Sequence, residues 1–479
     1  MIGILLAAGR GTRMKSDKPK VLFDVNDDVL CFAGLKALME ISDQVVVVVG
    51  YRGEEVKKAL RDRAIQEWGE SKVQSLLSFQ TQDPPNGTGD AVKVALQGIS
   101  HHIKKDDEII VLNGDLPLVR TSTLKTLIKA AKAEKAQSAC LTQRVRKPLG
   151  LGRILRDPMG IFIGIREEKD ATPDEKKITE INGGIYYFQA AYLTEHVQKL
   201  KSSNSQNEFY LTDLLGNSQR SRNSLAVGLR NPFDLMGVNN TLELSAVRRI
   251  SQYRLQRKLC EDFGVDFVDP STVYISSRAI FGNACRIGPS VVIKGNCQIG
   301  KDVVIDGNSL IENSEIGEGC HILWGSVIQA SRLGNRCSVG PMAHLRPQTE
   351  LGDEVKIGNF VELKKTQMGK GAKASHLSYL GDAVVGENSN IGCGTITCNY
   401  DGFAKHMTII GARSFIGSDT QLVAPVKIGE GAYVASGTTV TQDVPAGALA
   451  LSRPEMVIKE NYAQVLEARL AKQKKKKES

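Results

Sequence analysis

Between about Arg286 and Val440 an aliphatic residue returns at nearly every sixth position. The run is Ile287, Ile293, Ile299, Ile305 and Ile311, then Ile316, Ile322 and Ile328, then Leu333, Val339, Leu345, Leu351, Ile357 and Leu363. It resumes through Met368, Ala374, Leu380, Val385 and Ile391, and again from Ile410 through Ile416, Leu422, Ile428, Val434 and Val440. Glycine often follows at once, as at Gly288, Gly300, Gly352 and Gly417. A period of six matches neither a helix nor simple strand alternation. It fits a short strand plus a turn, repeated, with the aliphatic side chain inward. Three such turns make a triangular coil, and stacked coils make a parallel β-helix. No coil can bury its aliphatic side alone, so the array must fold as one cooperative prism.

At 479 residues the chain exceeds what one core holds, so a further domain is expected ahead of the repeats. Ile2–Ala8 reads as a buried parallel strand that breaks at Gly9-Arg10-Gly11-Thr12-Arg13. Taken alone, such a loop serves phosphate binding or a tight turn equally well. Four cations follow within eight residues, Arg13, Lys15, Lys18 and Lys20, which favours phosphate. Strands are expected at 44–50, 72–80 and 108–112, with helices over 54–67 and 90–96 and a turn at 83–89. This alternation predicts a doubly wound, mostly parallel α/β sheet with ligands beyond the strand ends. Asp115 falls there, as a metal-holding carboxylate or as the close of a turn after Gly114.

Residues 240–260 carry Leu244, Val247, Ile250, Tyr253, Leu255 and Leu259 among basic residues, the pattern of an amphipathic helix. A linker between domains is the simpler reading, a regulatory helix the alternative. Asp269-Pro270-Ser271-Thr272 marks entry to the prism. The net charge of +9 does not imply nucleic acid: residues 469–479 hold six cations against one anion, leaving only +4 on the rest. Nine cysteines without a CxxC pair predict reduced thiols. No apolar run approaches eighteen residues and no basic segment precedes the first strand, so a cytoplasmic protein without signal peptide or membrane span is expected.

Polar residues interrupt the hexads at Arg346, at Lys364, and at His376, Tyr379 and Asp382; Asn390 follows a little less than one coil later. The period itself fails between Ile391 and Ile410, where residues 397–406 are expected to leave the prism as a loop. A histidine such as His376 suits a general base, and cations such as Arg346 and Lys364 suit a phosphate.

Leu6-Ala7-Ala8-Gly9-Arg10-Gly11-Thr12-Arg13-Met14, followed by Pro19-Lys20-Val21-Leu22, resembles the signature loop of the sugar-1-phosphate nucleotidyltransferases. Gln80, Gly87-Thr88-Gly89, Gly114-Asp115, Gly152-Arg153, Glu167, Asn182 and Gly237-Val238-Asn239-Asn240 follow in the family's order. Joined to a hexad prism, the set is similar to the bacterial bifunctional N-acetylglucosamine-1-phosphate uridylyltransferases and glucosamine-1-phosphate N-acetyltransferases, over nearly the whole chain. The resemblance implies an α/β nucleotidyltransferase domain (1–241), a linker helix (242–262), a left-handed parallel β-helix acetyltransferase domain (263–455) and a basic tail (456–479). It further implies UTP, acetyl-CoA, glucosamine 1-phosphate and N-acetylglucosamine 1-phosphate as substrates, Mg²⁺ or Mn²⁺ as cofactor, and a homotrimer with neither nucleic-acid nor membrane partners.

By the same resemblance Leu6, Ala7, Ala8 and Gly9 line the uridine, Lys20 meets phosphate, and Gln80, Gly87 and Thr88 read the uracil. Asn113 and Gly114 lie beside Asp115, which with Asn239 holds the metal, while Gly152, Glu167 and Asn182 contact the sugar. In the prism His376 would be the catalytic base, with Arg346, Lys364, Tyr379 and Asn390 around the sugar phosphate. Cys393, Asn399, Tyr400, Ser418, Ser436 and Arg453 would line acetyl-CoA. Three positions depart from the family: Asp90 where it has His, and Cys393 and Ser436 where it has Ala. The turn at 83–86 is also longer than the family's, so Gln82 could take the role of Gln80. Two other readings share this pattern: a prism that serves only to assemble subunits, and an acyltransferase with a dead nucleotidyltransferase domain. The His376 group argues against the first, and the intact loop from Leu6 to Lys20 against the second.

Overall fold

The computed structural model describes residues 1–101, 103–216, 223–231, 233–453 and 455–475, so the last four residues of the basic tail lie outside the described residues. The chain divides into two compact units. One comprises Met1–Lys258 with Ile275–Arg278, the other Leu259–Tyr274 with Ala279–Ser479.

The first unit is built on a nine-stranded sheet. Its main path runs Ser224–Gly228, Ser138–Arg144, Glu180–Gln189, Glu108–Asn113, Ile2–Ala7, Gln44–Val49, Leu77–Thr81. The strand Ile2–Ala7 lies parallel to both neighbours, Ile4 pairing with Val46 and with Val111. Glu180–Gln189 runs antiparallel to its neighbours on this path, which makes the sheet mixed. The valine run 45–49 is apolar on both faces because both are covered. Val45, Val47 and Val49 pack with Val56 and Leu60 of the helix Gly53–Trp68; Val46 and Val48 pack with Val92 and Ala95 of the helix Thr88–Ile99. One expectation fails here: residues 72–80 are not one strand. Glu70–Leu76 is a helix that buries Val73, and only Leu77–Thr81 pairs with the valine strand.

The helix Thr241–Phe263 packs Leu244 and Val247 against Met14, Leu30, Leu118 and Val238 of the first unit. Tyr253, expected on its apolar stripe, is exposed.

The second unit is a parallel β-helix whose coils stack in register. One inward column runs Ile287, Ile305, Ile322, Val339, Ile357, Ala374, Ile391, Ile416, Val434. A second runs Ile293, Ile311, Ile328, Leu345, Leu363, Leu380. A third runs Ile299, Ile316, Leu333, Leu351, Met368, Val385, Ile410, Ile428. Glycines after the aliphatic residue are required by coil-to-coil approach: a Cβ on Gly358 would fall 1.9 Å from the Ser375 carbonyl oxygen.

The expected loop at 397–406 is shorter than its sequence suggests. Thr397 stays in the prism on the strand Ile396–Cys398 and takes the inward place between Leu380 and Leu422. Its hydroxyl accepts from Gly381 N at 2.7 Å and is placed to donate to Gly381 O at 3.1 Å, which meets the hydroxyl's needs inside the core. Only residues 399–407 leave the coil. The basic tail carries a helix, Tyr462–Lys475, exposed over 462–474.

Ile357 lies mid-column and is fully buried, so Ile357→Ala should cost about 2–5 kcal/mol through lost burial and an unfilled cavity. Hydrogen exchange on the purified protein checks this. Amides of the flanking coils, around Val339 and Ala374, should lose protection together with those of the mutated coil; loss confined to residues near 357 would contradict cooperative stacking.

Candidate active sites in the two units

Beyond the carboxyl ends of the first unit's parallel strands lie two adjoining cavities of about 290 and 430 Å³, which share Thr88, Asn113, Asp115 and Glu208. The smaller is lined by Leu6, Ala8, Gly9, Lys20, Gly87 and Gly114 besides. Ala7 differs: its side chain points into the core and leaves only its backbone to the loop. Gly114 sits close over the first strand, its N–H donating to Leu6 O at 2.8 Å, and a Cβ there would lie 2.7 Å from that oxygen.

Gln80 is not at the cleft. Strand alternation turns it toward the helix Thr88–Ile99, where a Cβ on Gly98 would meet its Nε2 at 2.1 Å. Gln82, just past the strand end, faces the smaller cavity instead and donates from Nε2 to Gly87 O at 3.0 Å and to Asp90 Oδ2 at 2.8 Å.

Asp115 and Asn239 come together because Val238 N donates to Asp115 O at 3.0 Å. Each meets a cation: Lys20 Nζ is 2.7 Å from Asp115 Oδ2, and an Arg13 guanidinium nitrogen donates to Asn239 Oδ1 at 2.7 Å. Asn239 is held by the start of the following helix. Glu243 N donates to Asn240 Oδ1 at 2.9 Å, while the Glu243 carboxylate accepts from Asn239 N at 2.7 Å and from Asn240 Nδ2 at 2.9 Å. Glu243 went unnoticed as a positioning residue, although Asn240-x-x-Glu243 is a legible helix-start signal.

The larger cavity is lined by Gly152, Glu167, Asn182 and Asn239. Burial pushes the Glu167 carboxyl up; the Thr212 hydroxyl, 3.2 Å from Oε1, opposes this, while the Asp213, Asp170 and Glu208 carboxylates add to it. Asn182 is oriented by donating to the Tyr186 hydroxyl at 2.8 Å and accepting from Gly184 N at 3.2 Å. The buried Arg153 guanidinium, 2.6 Å from Glu168, braces the segments that carry Gly152 and Glu167.

In the prism, stacking turns sequence distance into contact. His376 stands in register over Asn359, its Nδ1 2.8 Å from Asn359 Oδ1. With that oxygen accepting, Nδ1 carries the hydrogen and Nε2 keeps a lone pair free for a substrate proton. Two residues past the Ala374–Ile391, Ile391–Ile416 and Ile416–Val434 pairs, the same corner carries His376, Cys393, Ser418 and Ser436 on successive coils. The register of Leu345 with Leu363 likewise sets Arg346 beside Lys364.

Arg346 donates to Glu362 Oε1 at 2.8 Å. Lys405 returns from the loop to Lys364, whose pKa falls because of Lys405 first and Arg346 second. Three cations thus share one patch, and Lys405 is a member that hexad counting cannot find. Asn399 donates to Asp382 at 2.6 Å, and the Tyr379 hydroxyl lies over Gly381 beside it. Residues 399–406 close as a hairpin: His406 N donates to Asn399 O at 2.8 Å, and Asp401 accepts from Phe403 N, Ala404 N and the His406 ring. These bonds hold the Asp401 carboxyl well below its usual range. Tyr400 and Phe403 project from the hairpin, both exposed. Asn390 lies on the strand leading into the His376 corner, paired with Lys373 and Phe415, and Arg453 lies exposed beyond the last coil; neither bonds to the His376 group among the described residues.

Comparison with known proteins places both units in one family. Residues 3–172 match the MobA-like NTP transferase domain, and residues 407–442 match the bacterial transferase hexapeptide model. The chain is 44% identical over 461 residues to the bifunctional protein GlmU of Pelobacter propionicus, covering 96% of this chain and 97% of that one. It is 42% identical over 464 residues to that of Carboxydothermus hydrogenoformans (96% and 100%), and 40% identical over 481 residues to that of Geobacter sulfurreducens (96% and 98%). The chain therefore belongs to the GlmU family of bifunctional enzymes, in which a uridylyltransferase is joined to an acetyltransferase built on hexapeptide repeats.

Proposed function

We propose that the two units act in sequence on one sugar. The prism, residues 263–455, moves the acetyl group of acetyl-CoA onto the amine of glucosamine 1-phosphate. The first unit, residues 1–241, then joins N-acetylglucosamine 1-phosphate to the uridylyl group of UTP and releases pyrophosphate. The helix over 242–262 links them, and the product feeds peptidoglycan and other envelope sugars from the cytoplasm.

The observation that carries the acetyltransferase reading is the His376 corner. Nε2 of His376, its ring held through Nδ1 by Asn359, would take the amine proton as the thioester carbonyl is attacked. Arg346, Lys364 and Lys405 form a cationic seat that would take the sugar phosphate, with Tyr379 and, by the family resemblance, Asn390 contributing to it. Cys393, Ser418 and Ser436 rise along the same edge toward Arg453, and with Asn399 and Tyr400 would hold acetyl-CoA.

In the uridylyltransferase site Leu6, Ala8 and Gly9 would flank the uridine, Gln82, Gly87 and Thr88 the base, and Gly152, Glu167 and Asn182 the sugar. Lys20 and Arg13 neutralise phosphate charge as the sugar phosphate oxygen attacks the α-phosphorus and pyrophosphate leaves. Asp115 and Asn239 present one carboxylate and one amide oxygen, a hard-donor pair that fits Mg²⁺ sharing its other ligands with phosphates and water. When bound, the ion adds positive charge where negative charge develops.

The exposed apolar surface supports assembly with further copies of the chain, a homotrimer by the family resemblance. Trp324, Met342, Phe360 and Leu377 stack on successive corners, each about half exposed, and the last of them adjoins His376. Phe403 at the hairpin tip is 98% exposed.

His376→Ala should lower thiol release from acetyl-CoA by about 10²–10⁴-fold while pyrophosphate release from UTP and N-acetylglucosamine 1-phosphate stays at the wild-type rate. Equal loss of both would refute the two-site division. Asp115→Asn should show the reverse in the same two assays, and undiminished uridylyl transfer would remove Asp115 from the metal site. Glu167→Gln separates binding from stability. Because the folded-state pKa of Glu167 lies above its unfolded value, stability is lost as pH rises through the folded pKa. The variant escapes that loss. Its Tm should exceed wild type at pH 7–8, with the difference vanishing below pH about 4, where the wild-type carboxyl is protonated in both states. Its KM for N-acetylglucosamine 1-phosphate should rise about tenfold.

A further inference from the structure

Gln82 is 4% exposed, yet its side chain borders the smaller cavity. A glutamine amide offers two donors on nitrogen and an acceptor oxygen, and it can sit either way round. Here both protein partners are acceptors: Gly87 O at 3.0 Å and Asp90 Oδ2 at 2.8 Å, each receiving from Nε2. The Gly87 acceptor is backbone and fixed, and the Asp90 carboxylate is favoured where it stands. Gly87 holds φ 105° against the backbone of Phe209, where a Cβ would meet Phe209 O at 2.7 Å. Asp90 occupies the first turn of the helix Thr88–Ile99, where the N-terminal dipole favours a carboxylate. Reversing the amide would set oxygen against oxygen twice. No protein donor reaches Gln82 Oε1 among the described residues, so this is the atom left for a ligand.

From this we infer that Asp90 is a specificity-positioning residue: it locks the Gln82 amide so that the pocket presents an acceptor alone and admits only a pyrimidine bearing N3–H. The inference rests on the reading of the smaller cavity as the nucleobase pocket. Uracil carries a hydrogen on N3 and donates it to Oε1. Cytosine has a lone pair on N3, which would face the lone pairs of Oε1 and leave a nearly buried oxygen unpaired. A site built around one fixed acceptor rejects the wrong partner far more strongly than one that can turn its amide. Asp90 touches no substrate in this arrangement and works through Gln82.

The test compares kcat/KM for UTP and CTP in the full-length enzyme, with N-acetylglucosamine 1-phosphate and divalent metal present. In Asp90→Asn one of the two oxygen–oxygen clashes becomes a hydrogen bond, so a turned Gln82, opposed now by Gly87 O alone, can be populated and offer nitrogen to cytosine N3. The UTP-to-CTP preference should fall by about tenfold or more, through a gain for CTP as well as a loss for UTP. Asp90→Glu keeps a carboxylate acceptor and should keep most of the preference. Acetyl transfer from acetyl-CoA should be unchanged in both, which gauges folding. Gln82→Ala should raise the KM for UTP. If it does not, the cavity does not hold the base, and the reading beneath the inference fails. If Gln82→Ala impairs UTP binding but Asp90→Asn leaves the preference at the wild-type ratio, or Asp90→Glu loses it as fully as Asp90→Asn, the role given to Asp90 is wrong.

Discussion

Burial of one inward side chain per turn, repeated in register up the prism, is the constraint on which the second unit's chemistry depends. A short strand of two or three residues has almost no stability of its own, and its aliphatic residue is shielded only when coils above and below supply theirs. Register is thereby forced. Ile357 must meet Val339 and Ala374, and every outward residue inherits a fixed neighbour one coil away. Asn359 meets His376 because Ile357 meets Ala374, two residues earlier. A hydrophobic column thus aims the His376 imidazole.

The first unit reaches the same end by a different route. Parallel strands covered on both faces end together at one edge, and the residues just past those ends share a cleft. What fixes them is backbone rather than bulk. Gly114 lies against Leu6 O, Val238 bonds to Asp115 O, and the helix start at Asn240–Glu243 holds Asn239. Charge is distributed to match: Lys20 and Arg13 stand at the Asp115 and Asn239 oxygens, while Glu167 sits where burial penalises its ionised form.

Much of this was legible in the chain because period and order survive translation into structure. The hexads named the columns, and the valine run named a two-sided strand. Other features were hidden for identifiable reasons. Thr397 breaks the aliphatic pattern but not the coil, since Gly381 meets its hydroxyl's hydrogen-bonding needs, so the loop appeared to begin two residues before it does. Gln80 and Gln82 are alike in type and parity, and what separates them is the strand end: Gln80 lies within Leu77–Thr81 and turns to Gly98, while Gln82, one residue past it, borders the cleft. Lys405 joins Lys364 through a hairpin whose fold is set by Asp401, which no repeat count reports. The helix at Glu70–Leu76 hid within apolar spacing short enough to fit either a strand or a helix.

The central claim is that two separate sites treat one sugar in a fixed order. It is tested most directly by giving the wild-type enzyme glucosamine 1-phosphate, UTP and divalent metal, and following free thiol and pyrophosphate separately before and after acetyl-CoA is added. Pyrophosphate should be near background without acetyl-CoA. After its addition, pyrophosphate should follow thiol with a lag and approach one per thiol released. Pyrophosphate released at the full rate before acetyl-CoA is present, or thiol release that requires UTP, would contradict the account.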